Sequence, residues 1–125
     1  MTKSVDITVC VSGGRAYTDT KRIFEVLDTL HKGRPISLLI EGGCPIGDGG
    51  CDARARYWAK SRMVNCLTIP PKKSLLEKPS AGPLRNHEMA CWKPDVWILF
   101  PGDKGTQSAR VHAELCGAEI IVMAE

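Results

Sequence analysis

Five short apolar runs alternate along the chain with stretches whose apolar residues recur every three or four positions. The runs are Val5 to Val11, Ile36 to Glu41, Val64 to Ile69, Asp95 to Phe100 and Glu119 to Met123. A short apolar run closed off by turn residues predicts a buried parallel strand. Between the first two, Ile23, Val26, Leu27 and Leu30 predict a helix from about Thr18 to His31, capped by Thr18 or Asp19 and stopped by Gly33 and Pro35. Further helices are expected from Cys51 to Arg62, with Ala55, Trp58 and Ala59 turned inward, from Leu84 to Trp92, and from Thr106 to Cys116. The prolines and lysines of PPKKSLLEKPSAGP, between Pro70 and Pro83, argue against regular structure. Alternating strands and helices joined by right-handed crossovers imply an α/β fold. The expectation is a single Rossmann-like three-layer sandwich, with a mostly parallel sheet of about five strands, formed by residues 1–125 as one domain.

Three of the five runs empty directly into glycine-bearing loops that precede helices: SGGR after the first, GGCPIGDGG after the second and PGDKGT after the fourth. Glycine lets backbone approach a ligand closely, and a helix N-terminus offers free N–H groups and a positive dipole end. In open parallel sheets ligands bind outside the carboxyl ends of the strands, so the three loops predict one composite anion site. At the first loop, Gly13 and Gly14 make a tight turn and Arg15 can pair with a phosphate or carboxylate. The spacing is not GxGxxG, so a standard NAD site is not expected. Tyr17 is placed to stack on a base or to pack.

In the second loop, EGGCPIGDGGCD holds five glycines in twelve residues, more than a turn needs. Gly42 and Gly43 are expected at the ligand. Asp48 and Asp52 either cap the next helix or contact ribose hydroxyls. Further on, Arg85, Asn86 and His87 crowd a helix start, which suits an anion or nucleobase as well as a solvated face. In the last loop Pro101 ends the strand, Gly102 and Gly105 free the backbone, and Thr106 is expected to cap the helix while offering its hydroxyl to phosphate. This is not GxxxxGK[ST], so P-loop ATP hydrolysis is not expected.

Charge and cysteine content narrow the partners. A net charge of +3 without a basic tract favours a small anionic ligand over duplex nucleic acid. No segment approaches the roughly 20 apolar residues of a membrane span. The first run leads into a glycine loop instead of a cleavage site, so neither a signal peptide nor a membrane partner is expected and the cytoplasm is the expected compartment. The six cysteines are then mostly buried thiols, Cys10 and Cys66 lying inside strand-like runs. Cys44 and Cys51 lack the two-residue gap of common zinc sites, and no metal or cofactor is expected.

Taken in order, GGR, EGG with its glycine and acid loop, AGPLRN with a following Met, and FPGDKGT resemble the SLOG superfamily, named for the Smf/DprA and Lonely-guy proteins. The closest likeness is to its small stand-alone YspA-like branch, over about Thr8 to Met123. The resemblance implies a Rossmann-like fold that binds a nucleotide or a nucleotide-derived ligand across the glycine loops. Lonely-guy enzymes are phosphoribohydrolases that split nucleoside 5′-monophosphates, and their signature is PGGxGTxxE with an upstream arginine, matched here by Arg85. Asp103 replaces the second glycine and Ala109 the glutamate. An N-glycosidase reading therefore has Arg85 orient the phosphate and needs a different acid for the missing glutamate, drawn from Asp48, Asp103 or Glu114. Where the branch has a compact GGARGAD-like turn, this chain has the longer GGCPIGDGGCD. The resemblance also implies a homodimer. A DprA-like reading, single-stranded DNA binding, has only PPKK and Lys78 as its basic face.

Overall fold

The computed structural model describes residues 6–45, 47–72 and 81–124. Five strands form one sheet: β1 (Ile7–Ser12), β2 (Ile36–Glu41), β3 (Asn65–Thr68), β4 (Val96–Leu99) and β5 (Glu119–Val122). All neighbours are parallel, in the order β3-β2-β1-β4-β5. The helices are α1 (Thr20–Gly33), α2 (Gly50–Ser61), α3 (Ala81–Cys91) and α4 (Lys104–Cys116). This is the expected Rossmann-like sandwich.

Period-two alternation divides the strand residues between two cores. Val9, Val11, Leu39 and Ile98 pack with Ile23 and Leu27 of α1 and with Ala55, Trp58 and Ala59 of α2. On the opposite face Cys10, Ile40, Trp97 and Leu99 pack with Met89 of α3 and with Ala109 and Ala113 of α4. Small alanines let the helices lie close to a sheet of bulky branched residues. Asp28 pins α1 to α2 by accepting from Trp58 Nε1 at 2.8 Å and pairing with Arg62 at 2.8 Å.

Several local expectations are corrected. Helix α1 starts at Thr20, later than expected, while Asp19, one of its two expected caps, does serve, its carboxylate accepting from Arg22 N at 3.0 Å. Helix α3 begins at Ala81 and so includes Gly82 and Pro83. The first N–H groups of a helix have no intrahelical acceptor, so a proline in the first turn costs nothing. The rest of the irregular stretch, residues 73–80, lies outside the described residues. Helix α4 is capped by Asp103, not Thr106, because the Asp103 carboxylate accepts from Gly105 N at 3.3 Å. The thiols are not mostly buried either. Cys10 and Cys51 are buried, Cys44 and Cys116 half-buried, and Cys66 and Cys91 exposed. Cys66 is exposed because β3 is an edge strand.

Candidate functional site

Chain order runs outward from β1 through β2 to β3 and then restarts at β4 beside β1. A crevice must open at that reversal, beyond the carboxyl ends of β1 and β4. The loops after those strands press together there. Gly14 N donates to the Pro101 carbonyl at 2.8 Å, and a Cβ on Gly102 would overlap Thr106 Oγ1 and stand 2.8 Å from Gly14 N. Beneath them Trp97 Nε1 donates to Ser12 Oγ at 2.9 Å, fixing the end of β1.

Beside this junction lies a cleft of about 300 Å3. It brings together Gly13, Gly14 and Arg15 from the first loop, Gly42 and Asp52 from the second, Arg85 and Asn86 from α3, and Asp103, Gly105 and Thr106 from the last. Arg85 lies against Gly42, where any Cβ would overlap its guanidinium. Its Nη1 donates to the Gly42 carbonyl at 2.6 Å, and its Nε to Asn86 Oδ1 at 2.9 Å. Asn86 in turn donates to the Gly105 carbonyl at 3.3 Å. One chain of hydrogen bonds therefore links β2, α3 and α4 across the cleft.

A second cavity of about 370 Å3 adjoins the first and shares Gly14, Arg15 and Asp103 with it. Pro101 and Gly102 line this one together with Tyr17, whose ring stacks on Phe100 with centroids 5.6 Å apart. Three of the candidates stand away from both cavities. Asp48 is exposed and pairs with Arg54 at 3.0 Å, a hydrogen bond that holds its carboxyl below the usual range. Glu114 pairs with Arg110 on the outer face of α4. Gly43 packs against Thr68 and Pro70. Ser12, Pro45 and Pro71 line the cleft without having been singled out in the sequence, and Cys44, weighed there only as a metal ligand, lines it too. Of these only Ser12 carries a usable signal, as the polar residue that ends an apolar run.

Glu41 is the other buried acid among the described residues, and its environment differs from that of Asp52. Its carboxylate is fully buried and accepts from Gly43 N at 2.7 Å, from Thr68 Oγ1 and from Arg56 at 3.3 Å. It is a fully hydrogen-bonded structural side chain that shapes the loop after β2. A charge closing the run ISLLIE was the sign of it.

Asp52 is 6% exposed and accepts from Cys44 N at 3.1 Å. Burial lifts its carboxyl to about 6, against the opposing pull of Arg85 and with reinforcement from Glu41. Its folded value lies above the unfolded one, so between these values the folded state holds the extra proton and stability falls as pH rises. Asp52→Asn is accordingly expected to match the wild type near pH 4. Its advantage should grow to about 2 kcal/mol by pH 7, read as urea midpoints across that range.

A parallel sheet with a loop-built crevice at its switch point defines the Rossmann-like class of ligand-binding folds. Within that class, a profile of the YspA, cpYpsA-related SLOG family matches residues 7–74, more than half of the chain, and the protein belongs to this family. No curated protein matches it. Membership is consistent with a nucleotide-related ligand. Among the described residues, no helix is long and apolar enough to cross a membrane.

Proposed function

We propose that the cleft binds a nucleotide or nucleotide-derived ligand, with its phosphate against the Gly102–Thr106 turn and the first turn of α4. The observation that carries this reading is the convergence of Arg15, Arg85 and the α4 N-terminus on one cavity at the switch point. Each supplies positive potential where an anion could enter. Gly42, Gly13 and Asp52 form the opposite wall and suit the ribose side. Cytoplasmic placement and one domain over residues 1–125, both expected from the sequence, belong to the same proposal, as does a homodimer on resemblance alone.

Asp103 modifies the picture. Its carboxylate already occupies the Gly105 amide, so an incoming phosphate must displace it or accept a neighbouring negative charge. Asp103→Gly is therefore expected to bind nucleoside 5′-monophosphates about fivefold more tightly, while losing about 1 kcal/mol of stability with the cap. Calorimetric titration of both proteins with a panel of nucleoside 5′-monophosphates tests this. No binding by either protein would remove the proposal.

A second reading, N-glycosidic hydrolysis, is favoured by one observation. Asp52 is a cleft carboxyl whose affinity for protons is raised towards neutrality, as an acid or base catalyst requires. Glu114 and Asp48 face away, and Ala109 is fully buried in the α3/α4 core. Release of free base in the same titrations separates hydrolysis from binding alone. For the DNA reading, Lys72 is described, while Lys73 and Lys78 lie outside the described residues.

A further inference from the structure

Away from the cleft, α3 and α4 lie on one face of the parallel sheet and run in the same direction. Each carries a histidine followed four residues later by a cysteine: His87 and Cys91 on α3, His112 and Cys116 on α4. A four-residue step returns to the same face of a helix. All four side chains line a single groove of about 240 Å3 between the helices, with Ala90 and Leu115. The two imidazoles meet edge to face with centroids 6.2 Å apart, and both cysteines follow one turn further along.

One pair of these donors has the spacing of ligands on a tetrahedral zinc ion. Two ligands of one zinc at ordinary Zn–S and Zn–N lengths stand roughly 3.6 Å apart, and Cys91 Sγ is 3.7 Å from His87 Nε2. Two imidazoles on one such ion have centroids roughly 5 Å apart, so the histidine pair must close by about 1 Å. His112 Nδ1 lies 2.9 Å from the Ser108 carbonyl. Donation there leaves Nε2 with its lone pair free of that bond, the usual backbone support for a metal-binding histidine.

As the side chains stand, no three donors among the described residues converge on a metal position. Cys116 Sγ, for example, donates to the Ala113 carbonyl at 3.4 Å. His87 and Cys91 are exposed, and His112 and Cys116 half-buried. A shared ion therefore requires new side-chain rotamers on both α3 and α4.

We propose that this groove binds a zinc-type divalent ion through His87, Cys91, His112 and Cys116, with release of the two thiol protons. Such an ion would tie together the two helices that bring Arg85, Asn86, Gly105 and Thr106 to the cleft.

Cobalt(II) added to the reduced full chain tests the proposal. The expected result is one equivalent bound, with thiolate-to-cobalt absorption in the near ultraviolet and the strong visible bands of a tetrahedral ion, all bleached by zinc. Cys91→Ser with Cys116→Ser should abolish these bands, and Cys66→Ser should leave them unchanged. Cys91→Ser alone replaces an exposed side chain and should weaken binding at least tenfold, which provides a test should the double variant fold poorly. Absence of the bands in the wild-type chain, or their persistence in a folded Cys91→Ser variant at unchanged affinity, would overturn the proposal.

Discussion

Replacing Gly50 with alanine is expected to lower folding stability by about 3 kcal/mol. Gly50 opens α2 with φ +53, and a Cβ there would stand 2.5 Å from Arg15 Cα and 2.6 Å from the Arg15 carbonyl oxygen. Both are backbone atoms, so no side-chain rotation relieves the overlap. The left-handed conformation costs an L-residue about 1–2 kcal/mol, and the forced displacement about as much again. The neighbouring bond from Cys51 N to the Gly14 carbonyl, 3.3 Å, would stretch with it, moving Arg15 away from the cleft. Gly47→Ala is the matched control, because Gly47 has φ +62 and nothing within 4 Å of its Cβ position. It should cost only about 1 kcal/mol. Urea denaturation of the two variants separates conformational strain from overlap, and equal losses would mean that the contact with Arg15 is unimportant.

That contact also shows where the sequence is silent. The unusual glycine density of EGGCPIGDGGCD marks a constrained loop, but only the fold reveals that Gly50 is pressed against the first loop and Gly42 against Arg85. The central strands and the helices were legible because burial on both faces of a parallel sheet demands continuous apolar runs, and helices packed on one face demand the period seen in α1. Helix starts were less so. Asp103 and Thr106 are both good capping residues, and the choice between them depends on where the chain turns after Pro101. Side-chain direction was hidden altogether: Asp48 and Asp52 stand four residues apart, yet one pairs with Arg54 at the surface and the other is buried in the cleft. The α3/α4 groove was equally hidden, since its two His-x-x-x-Cys pairs lie in separate segments and meet only when both helices cover the same face.

The second large effect is expected at Arg85. Its guanidinium bridges the Gly42 carbonyl and Asn86 beside the α4 first turn, so it holds the cleft together and supplies charge to an anion within it. Arg85→Met keeps the packing of the stem and removes the fork. Losing the charged hydrogen bond to Gly42 should cost about 1–2 kcal/mol of stability. Loss of a charge-assisted phosphate contact should weaken nucleoside 5′-monophosphate binding at least tenfold, about 1.4 kcal/mol. A nucleoside without phosphate makes no such contact, and its affinity should change little.

The decisive measurement is therefore a pair of calorimetric titrations, a nucleoside 5′-monophosphate and its parent nucleoside, into the wild-type chain and Arg85→Met. Phosphate recognition at the α4 end of the cleft predicts that the wild type prefers the monophosphate and that Arg85→Met loses most of that preference. An unchanged preference in Arg85→Met, or equal binding of both ligands by the wild type, would contradict it.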